Sequence, residues 1–185
     1  QPLQGGPVIE AAAPRQPVGP PKTKDTEPPE ESAKERSQRF AGYNRSLLAS
    51  KDCKVRKWLM EDRLISLNTL NEYHVGAVTQ TFNGVQKQCA VFPWFTDGED
   101  GPVRAKIRAH DDKKCMRLEP QGGGWGFFGW NTVEETDTAI AVTEGELDAL
   151  TVRQHTNMKA VSLPNGCNSL PPPLGGGVSL WGGGR

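Results

Sequence analysis

The spacing of apolar residues changes most sharply between positions 138 and 151. Thr138-Ala-Ile-Ala-Val-Thr143 is a run of small and β-branched residues, the composition of a strand covered on both faces, and Leu147, Leu150 and Thr151 then recur at helical spacing. The change falls at Glu144-Gly145-Glu146, which predicts a strand-to-helix junction turned tightly by Gly145. Further upstream, Val103, Ala105 and Ile107 alternate with Arg104, Lys106 and Arg108. That period of two predicts a strand with one apolar face and one cationic face, the latter turned to solvent. Gln80 to Phe95 reads as a hairpin with Asn83-Gly84 at its turn, and Pro93 predicts that the second strand is an edge or bulged one. A helix is predicted from Glu30 or Ser32 towards Leu48, and Val55, Leu59 and Leu64 lie at loosely helical spacing between Cys53 and Leu64.

These elements define an α/β fold: a small mixed α+β subdomain followed by the start of a mostly parallel sheet. The predicted division is a disordered proline-rich linker over 1–37, a basic subdomain over 38–133, a partial α/β domain over 134–174 and a glycine-rich end over 175–185. The linker assignment rests on Pro-Pro at 20–21 and 28–29 amid Ala, Gln and alternating charge, a composition that cannot bury a core. A transit sequence is the alternative for this segment, against which Asp25, Glu27, Glu30 and Glu31 argue. The 185 residues begin with Gln1 and end in a glycine-rich run, and are expected to be a piece of a longer chain.

Composition narrows the partners only a little. The chain carries 22 basic and 22 acidic side chains, so global charge selects none. No apolar run approaches the ~20 residues needed to span a bilayer, so no membrane partner is expected. The four cysteines, Cys53, Cys89, Cys115 and Cys167, form no C-x-x-C pair and predict neither a zinc ribbon nor disulfides. Gly124-Trp-Gly126-Phe-Phe-Gly129 spells G-x-G-x-x-G but lacks the preceding strand and following helix of a dinucleotide site. Its aromatic residues are expected to pack the junction between the two subdomains.

Two features carry chemistry. Glu144 at the end of a strand and Asp148 in the first turn of a helix bring two carboxylates to one junction, where hard oxygen ligands suit Mg²⁺. Acids at that place also complement the positive end of a helix dipole, and on the residues alone both readings stand. The second feature is the cationic stripe of Arg104, Lys106 and Arg108, continued by Lys113, Lys114 and Arg117. Such a stripe is an ordinary solvated face unless a phosphate-bearing ligand is placed beside it.

Val142-Thr-Glu-Gly-Glu-Leu-Asp148 resembles the first motif of the TOPRIM domain in primase-helicases of the bacteriophage type and their organellar relative Twinkle. Lys159-Ala-Val-Ser-Leu-Pro-Asn-Gly166 is similar to that family's second strand and loop. Upstream, Trp58 to Leu70 with Tyr73-His-Val-Gly76 resembles its helical opening, Val91 to Phe95 and Val103 to Arg108 its basic two-stranded element, and Gly126-Phe-Phe-Gly129 its glycine-aromatic motif. The resemblance spans roughly residues 56–170.

The resemblance implies that Glu144 and Asp148 are catalytic and metal-binding, completing with a later Asp-x-Asp a site for one or two Mg²⁺ ions. It implies that Arg104, Lys106, Arg108, Lys113 and Lys114 hold nucleotides and single-stranded DNA. The parent protein would continue into a P-loop helicase that assembles as a ring-shaped homo-oligomer, in a mitochondrion or plastid. Two functions then compete: a DNA primase in organellar DNA replication, and a primase-like module that has lost synthesis and binds single-stranded DNA beside an active helicase. A topoisomerase or nuclease with a TOPRIM domain is the third alternative, for which the basic element is out of place.

Overall fold

The computed structural model describes residues 31–164, so the assignments to 1–30, 175–185 and Cys167 lie outside it. Helix α1 (Ala33–Ala49) starts at Ser32, whose hydroxyl accepts from the Glu35 N–H at 3.3 Å while the Glu35 carboxylate accepts from the Ser32 N–H at 3.0 Å. This reciprocal cap satisfies two otherwise free helix-end donors and stops the helix from fraying. Residues 33–37, which composition assigns to the linker, are therefore helical. A short helix α2 (Lys54–Lys57) runs into a π-helical turn (Trp58–Asp62), and α3 (Leu67–Glu72) is capped by Ser66. The strands are β1 (Gly76–Phe82), β2 (Val85–Phe95), β3 (Arg104–Ala109), β4 (Met116–Glu119), β5 (Phe127–Phe128), β6 (Ala141–Thr143) and β7 (Ala160–Ser162), with α4 (Glu146–Thr156) between β6 and β7.

Among the described residues all seven strands form one mixed sheet, in the order β4-β3-β2-β5-β7-β6, with β1 also paired to β2. Only β6 and β7 run parallel; the other pairs are antiparallel. The hairpin forms at Asn83-Gly84, both in the positive-φ region its turn requires. Strand β2 is not an edge. It pairs with β3 on one side, and on the other side with β1 as far as Val91 and with β5 from Trp94. Pro93, which has no N–H to offer a ladder, lies where one partner has ended and the next begins.

Both faces of the sheet are covered. On one, α1 packs Phe40 against Cys89, Val91, Ala105, Ile107 and Ala109. The close approach of α1 to β1 needs Gly76, where a Cβ would fall 2.7 Å from that of Tyr43. The other face carries Phe92, Trp94 and Phe128 and packs against the π turn, α3 and α4 through Trp58, Leu59, Leu70, Tyr73, Ala149 and Leu150. Of the aromatic residues in the glycine-aromatic segment, Phe128 packs into the core, Phe127 and Trp130 are partly exposed, and Trp125 is exposed. Phe128 is fully buried 5.3 Å from Tyr73 and 5.6 Å from Phe92, and β5 links β2 to β7. Gly129 has φ 88° and backs onto the Ala160 carbonyl, leaving no room for a side chain.

Tyr73 ties α3 to β7 through its hydroxyl, which donates to the Ala160 carbonyl at 2.9 Å and accepts from the Ala160 N–H at 3.3 Å. Burial raises this phenol above its ordinary value of 10.0. The native chain thus holds the proton more tightly than the unfolded chain, and stability that is level below about pH 10 falls as pH rises further. Tyr73→Phe leaves a buried carbonyl short of a donor and is expected to cost about 1–3 kcal/mol in denaturant unfolding. It should also remove part of the alkaline loss. An unchanged midpoint would show that this bond contributes nothing.

Candidate nucleotide and nucleic-acid site

The predicted junction exists but is built differently. Strand β6 spans only Ala141–Thr143, so the residues from Thr138 to Ile140 are not part of it. Gly145 is the N-cap of α4 with φ −131° and ψ 151°, an extended conformation open to any residue, so no tight glycine turn is made there. A Cβ at 145 would lie 3.0 Å from Oδ2 of the exposed Asp148 side chain, which is free to move aside. The Thr143 hydroxyl fixes the junction, pointing at the Gly145 carbonyl (3.0 Å) and the Val161 carbonyl (3.2 Å).

Glu144 and Asp148 are both exposed at this end of α4. The acid between them behaves otherwise. Glu146 is 8% exposed and forms an ion pair with Lys106, which is equally buried on β3. The ammonium touches Glu146 Oε1 off the direction of a hydrogen bond, and that oxygen has no hydrogen-bond partner among the described residues. Contact without alignment leaves Coulomb attraction as the main force, strengthened by the scarcity of water around the pair.

Of the cationic stripe Lys106 is buried, and Arg104 and Arg108 are only partly exposed. Arg104, Lys106 and Arg108 do share one face, as alternation requires, but in register they stand opposite Trp94, Phe92 and Ala90, on the side covered by α4 and the π turn. Arg104 Nε donates to the Pro120 carbonyl at 3.0 Å, and its guanidinium lies 5.9 Å from the Trp94 ring. Arg108 lies 5.6 Å from the Trp58 ring, and its buried Nε has no partner among the described residues. Lys113 and Lys114 are exposed in the turn between β3 and β4, where Asp112 accepts from the Lys114 N–H at 2.9 Å. Arg117 stands opposite Ile107 and so belongs to the other face, where it contacts Gln80 and Phe82.

The structure thus brings Lys106 to the head of α4, against Glu146, which lies between Glu144 and Asp148 in sequence, with Arg108 two residues along the same strand face. Lys113 and Lys114 stay in their own turn. The pairing of Glu146 with Lys106 was not legible beforehand; at N1 of a helix, Glu146 had a sufficient reason to exist in the dipole alone. Among the described residues no three His, Cys, Asp or Glu side chains converge into a metal-binding group. Two clefts lie elsewhere: one of about 330 Å³ is lined by Ser46, Asp52, Thr79 and Gln88, and another of about 570 Å³ by the 136–139 loop and the end of α4. Cys89 is buried with its thiol pushed up to about 11 by desolvation, and Cys53 and Cys115 are free and partly exposed.

With this geometry the chain is similar to solved primase cores. It superposes on the DnaG catalytic core with a TM-score of 0.54 and 11% identity, over 70% of this chain and 53% of that one. Against the E. coli primase catalytic core the TM-score is 0.51 with 12% identity, over 68% of this chain and 52% of that one. What is shared is the fold, a mixed α+β arrangement like that of these catalytic cores. The chain spans about half the length of these proteins. No family model matches the sequence.

The Lys106–Glu146 pair makes a sharp prediction. Lys106→Met leaves Glu146 buried without its counter-charge and is expected to cost about 3–5 kcal/mol, as is Glu146→Leu for the converse reason. The double variant Lys106→Met/Glu146→Leu removes both charges and is expected to lie within about 1 kcal/mol of the parent or above it. Urea unfolding of all four proteins measures the coupling. Additive losses in the double variant would mean that the two side chains do not act as a buried pair.

Proposed function

We propose that this chain is the primase-like part of a DNA primase-helicase of the bacteriophage or Twinkle type, acting in organellar DNA replication on single-stranded DNA and magnesium nucleotides. The observation that carries this reading is the arrangement at the head of α4. Two exposed carboxylates, Glu144 and Asp148, bracket the acid that holds Lys106 of the cationic strand, within the fold of a primase core. Phosphate chemistry needs both signs close together: cations to bind the polyphosphate, and carboxylates to hold the metal that neutralises charge as it develops.

The donor set fits magnesium. Glu144 and Asp148 are solvent-accessible hard oxygen donors on one junction, and Asp148 folds back towards Gly145, the residue after Glu144. Bound there, the ion would polarise a phosphoryl oxygen. Glu144 and Asp148 would hold it, and Arg108 would draw in the phosphate. Two carboxylates are few for such a site, and in the proposed parent a further Asp-x-Asp completes it. The parent would also carry the helicase through which it assembles into a ring.

A second reading is favoured by one observation. Lys106 is neutralised by Glu146 and shielded from solvent, which leaves it poorly placed to bind a phosphate. A module that binds single strands without synthesis needs no free lysine there.

Metal binding separates the catalytic reading from the module. Mn²⁺ titration followed by electron paramagnetic resonance is expected to show one weak site, with Glu144→Gln and Asp148→Asn each weakening it by about tenfold or more. Equal Mn²⁺ binding by parent and both variants would remove the metal from this junction and leave single-strand binding as the function.

A further inference from the structure

We propose that Arg63 and Arg108, both held against the ring of Trp58, form a phosphate clamp that grips the backbone of single-stranded nucleic acid beyond the head of α4. This inference rests on the reading above and adds to it a second contact point made by the helical opening of the chain.

The local geometry explains how Arg63 arrives there. The Arg63 N–H donates to the Trp58 carbonyl at 3.1 Å, closing a turn of five residues. In an α-helix of 3.6 residues per turn, position i+5 has rotated well past the face of position i; the wider π turn brings it back. Arg63 consequently lies 5.5 Å from the Trp58 ring, and Arg108 reaches the same ring from β3 at 5.6 Å. The segment after Arg63 is pinned. Leu64 has φ 57°, and the side-chain amide of Gln154 donates to its carbonyl at 2.8 Å while accepting from the Ser66 N–H at 2.6 Å. Gln154 belongs to α4, so the helix that carries Asp148 at its head also fixes the seat of Arg63.

Electrostatics points to what is bound. Both guanidinium groups lie against one indole, and among the described residues neither has a carboxylate within ion-pair distance. Arg63 is exposed and Arg108 is partly so. An anion at their outer nitrogens supplies the missing counter-charge. Trp58 is only 8% exposed, so its ring supports the guanidinium groups and offers no surface on which a base can stack. The contact is therefore to phosphate and indifferent to base identity. Arg108 lies two residues from Lys106 on the same face, which places the clamp along the line of the cationic strand.

Fluorescence anisotropy of a labelled oligodeoxythymidylate, over a salt series, tests the clamp on the whole chain. Each single-strand phosphate contact contributes ~0.7 to the slope of log affinity against log salt, and so roughly fivefold in affinity at about 0.1 M salt. Arg63→Ala is expected to lower slope and affinity by that amount, and Arg63→Ala/Arg108→Ala by roughly twenty-five-fold. Arg63→Lys should keep the slope, and oligodeoxyadenylate should give the same differences. Arg63 is exposed, so its replacement alone reads the contact should Arg108→Ala disturb the fold. Parent-like slopes in the Arg63→Ala variant overturn the clamp while leaving the proposed function in place. A loss confined to nucleoside triphosphate binding, measured in parallel, also overturns it, in favour of a nucleotide contact. If the parent binds no oligonucleotide at all, the functional reading falls together with the clamp.

Discussion

Strand β2 changes partner at Pro93, and the unity of the sheet depends on it. Up to Val91 the strand bonds β1, whose outer face carries α1; from Trp94 it bonds β5, which passes the sheet on to β7 and β6. Two residues, Phe127 and Phe128, are enough to make this join because the second is fully buried between Tyr73 and Phe92. The tight backbone approaches at Gly126 and Gly129 admit no side chain. Among the described strands β5 is the link in the sheet between β2 and the β6-α4-β7 unit, which also packs on the shared core through Ala149 and Leu150. In this arrangement the cationic face of β3 lies beneath the head of α4.

That placement sets the electrostatics of the site. Lys106 and Glu146 neutralise one another out of water, a pairing that stabilises little in net terms but is costly to break from one side. It fixes which face of β3 meets which helix. It also sorts the charges by availability: Glu144, Asp148, Arg63 and the outer part of Arg108 remain to meet ions or phosphates, whereas Lys106 is already engaged. The reading of this chain as a primase or as a binding module turns on that distinction, because a free lysine beside two carboxylates serves synthesis better than a satisfied one.

The alternation of Arg104, Lys106 and Arg108 located a strand and assigned its side chains to faces correctly. It misplaced the solvent. A period of two says that a strand has two faces and nothing about what covers them, and the covering residues, Trp58 and Glu146, lie some forty positions away on either side. Gly145 shows the same limit on a smaller scale: a glycine between a strand and a helix suggests a tight turn, yet its backbone is extended and no positive φ is used. Pro93 was legible as a break in a ladder. That the break would lie inside the sheet, at a change of partner, required knowing that β5 exists.

What the sequence determined by itself is local and periodic: the strand-to-helix junction at Glu144, the hairpin turn at Asn83-Gly84, and a helix starting near Glu30 or Ser32. Each depends on residues within about one turn or one strand of each other, where backbone preference and side-chain period act directly. The tertiary structure alone decided that both faces of the sheet are covered, that Lys106 is paired with Glu146, and that a π turn brings Arg63 and Arg108 to one tryptophan. Those outcomes depend on which distant surfaces meet, and the free energy that selects them comes from burial and charge pairing across the whole fold.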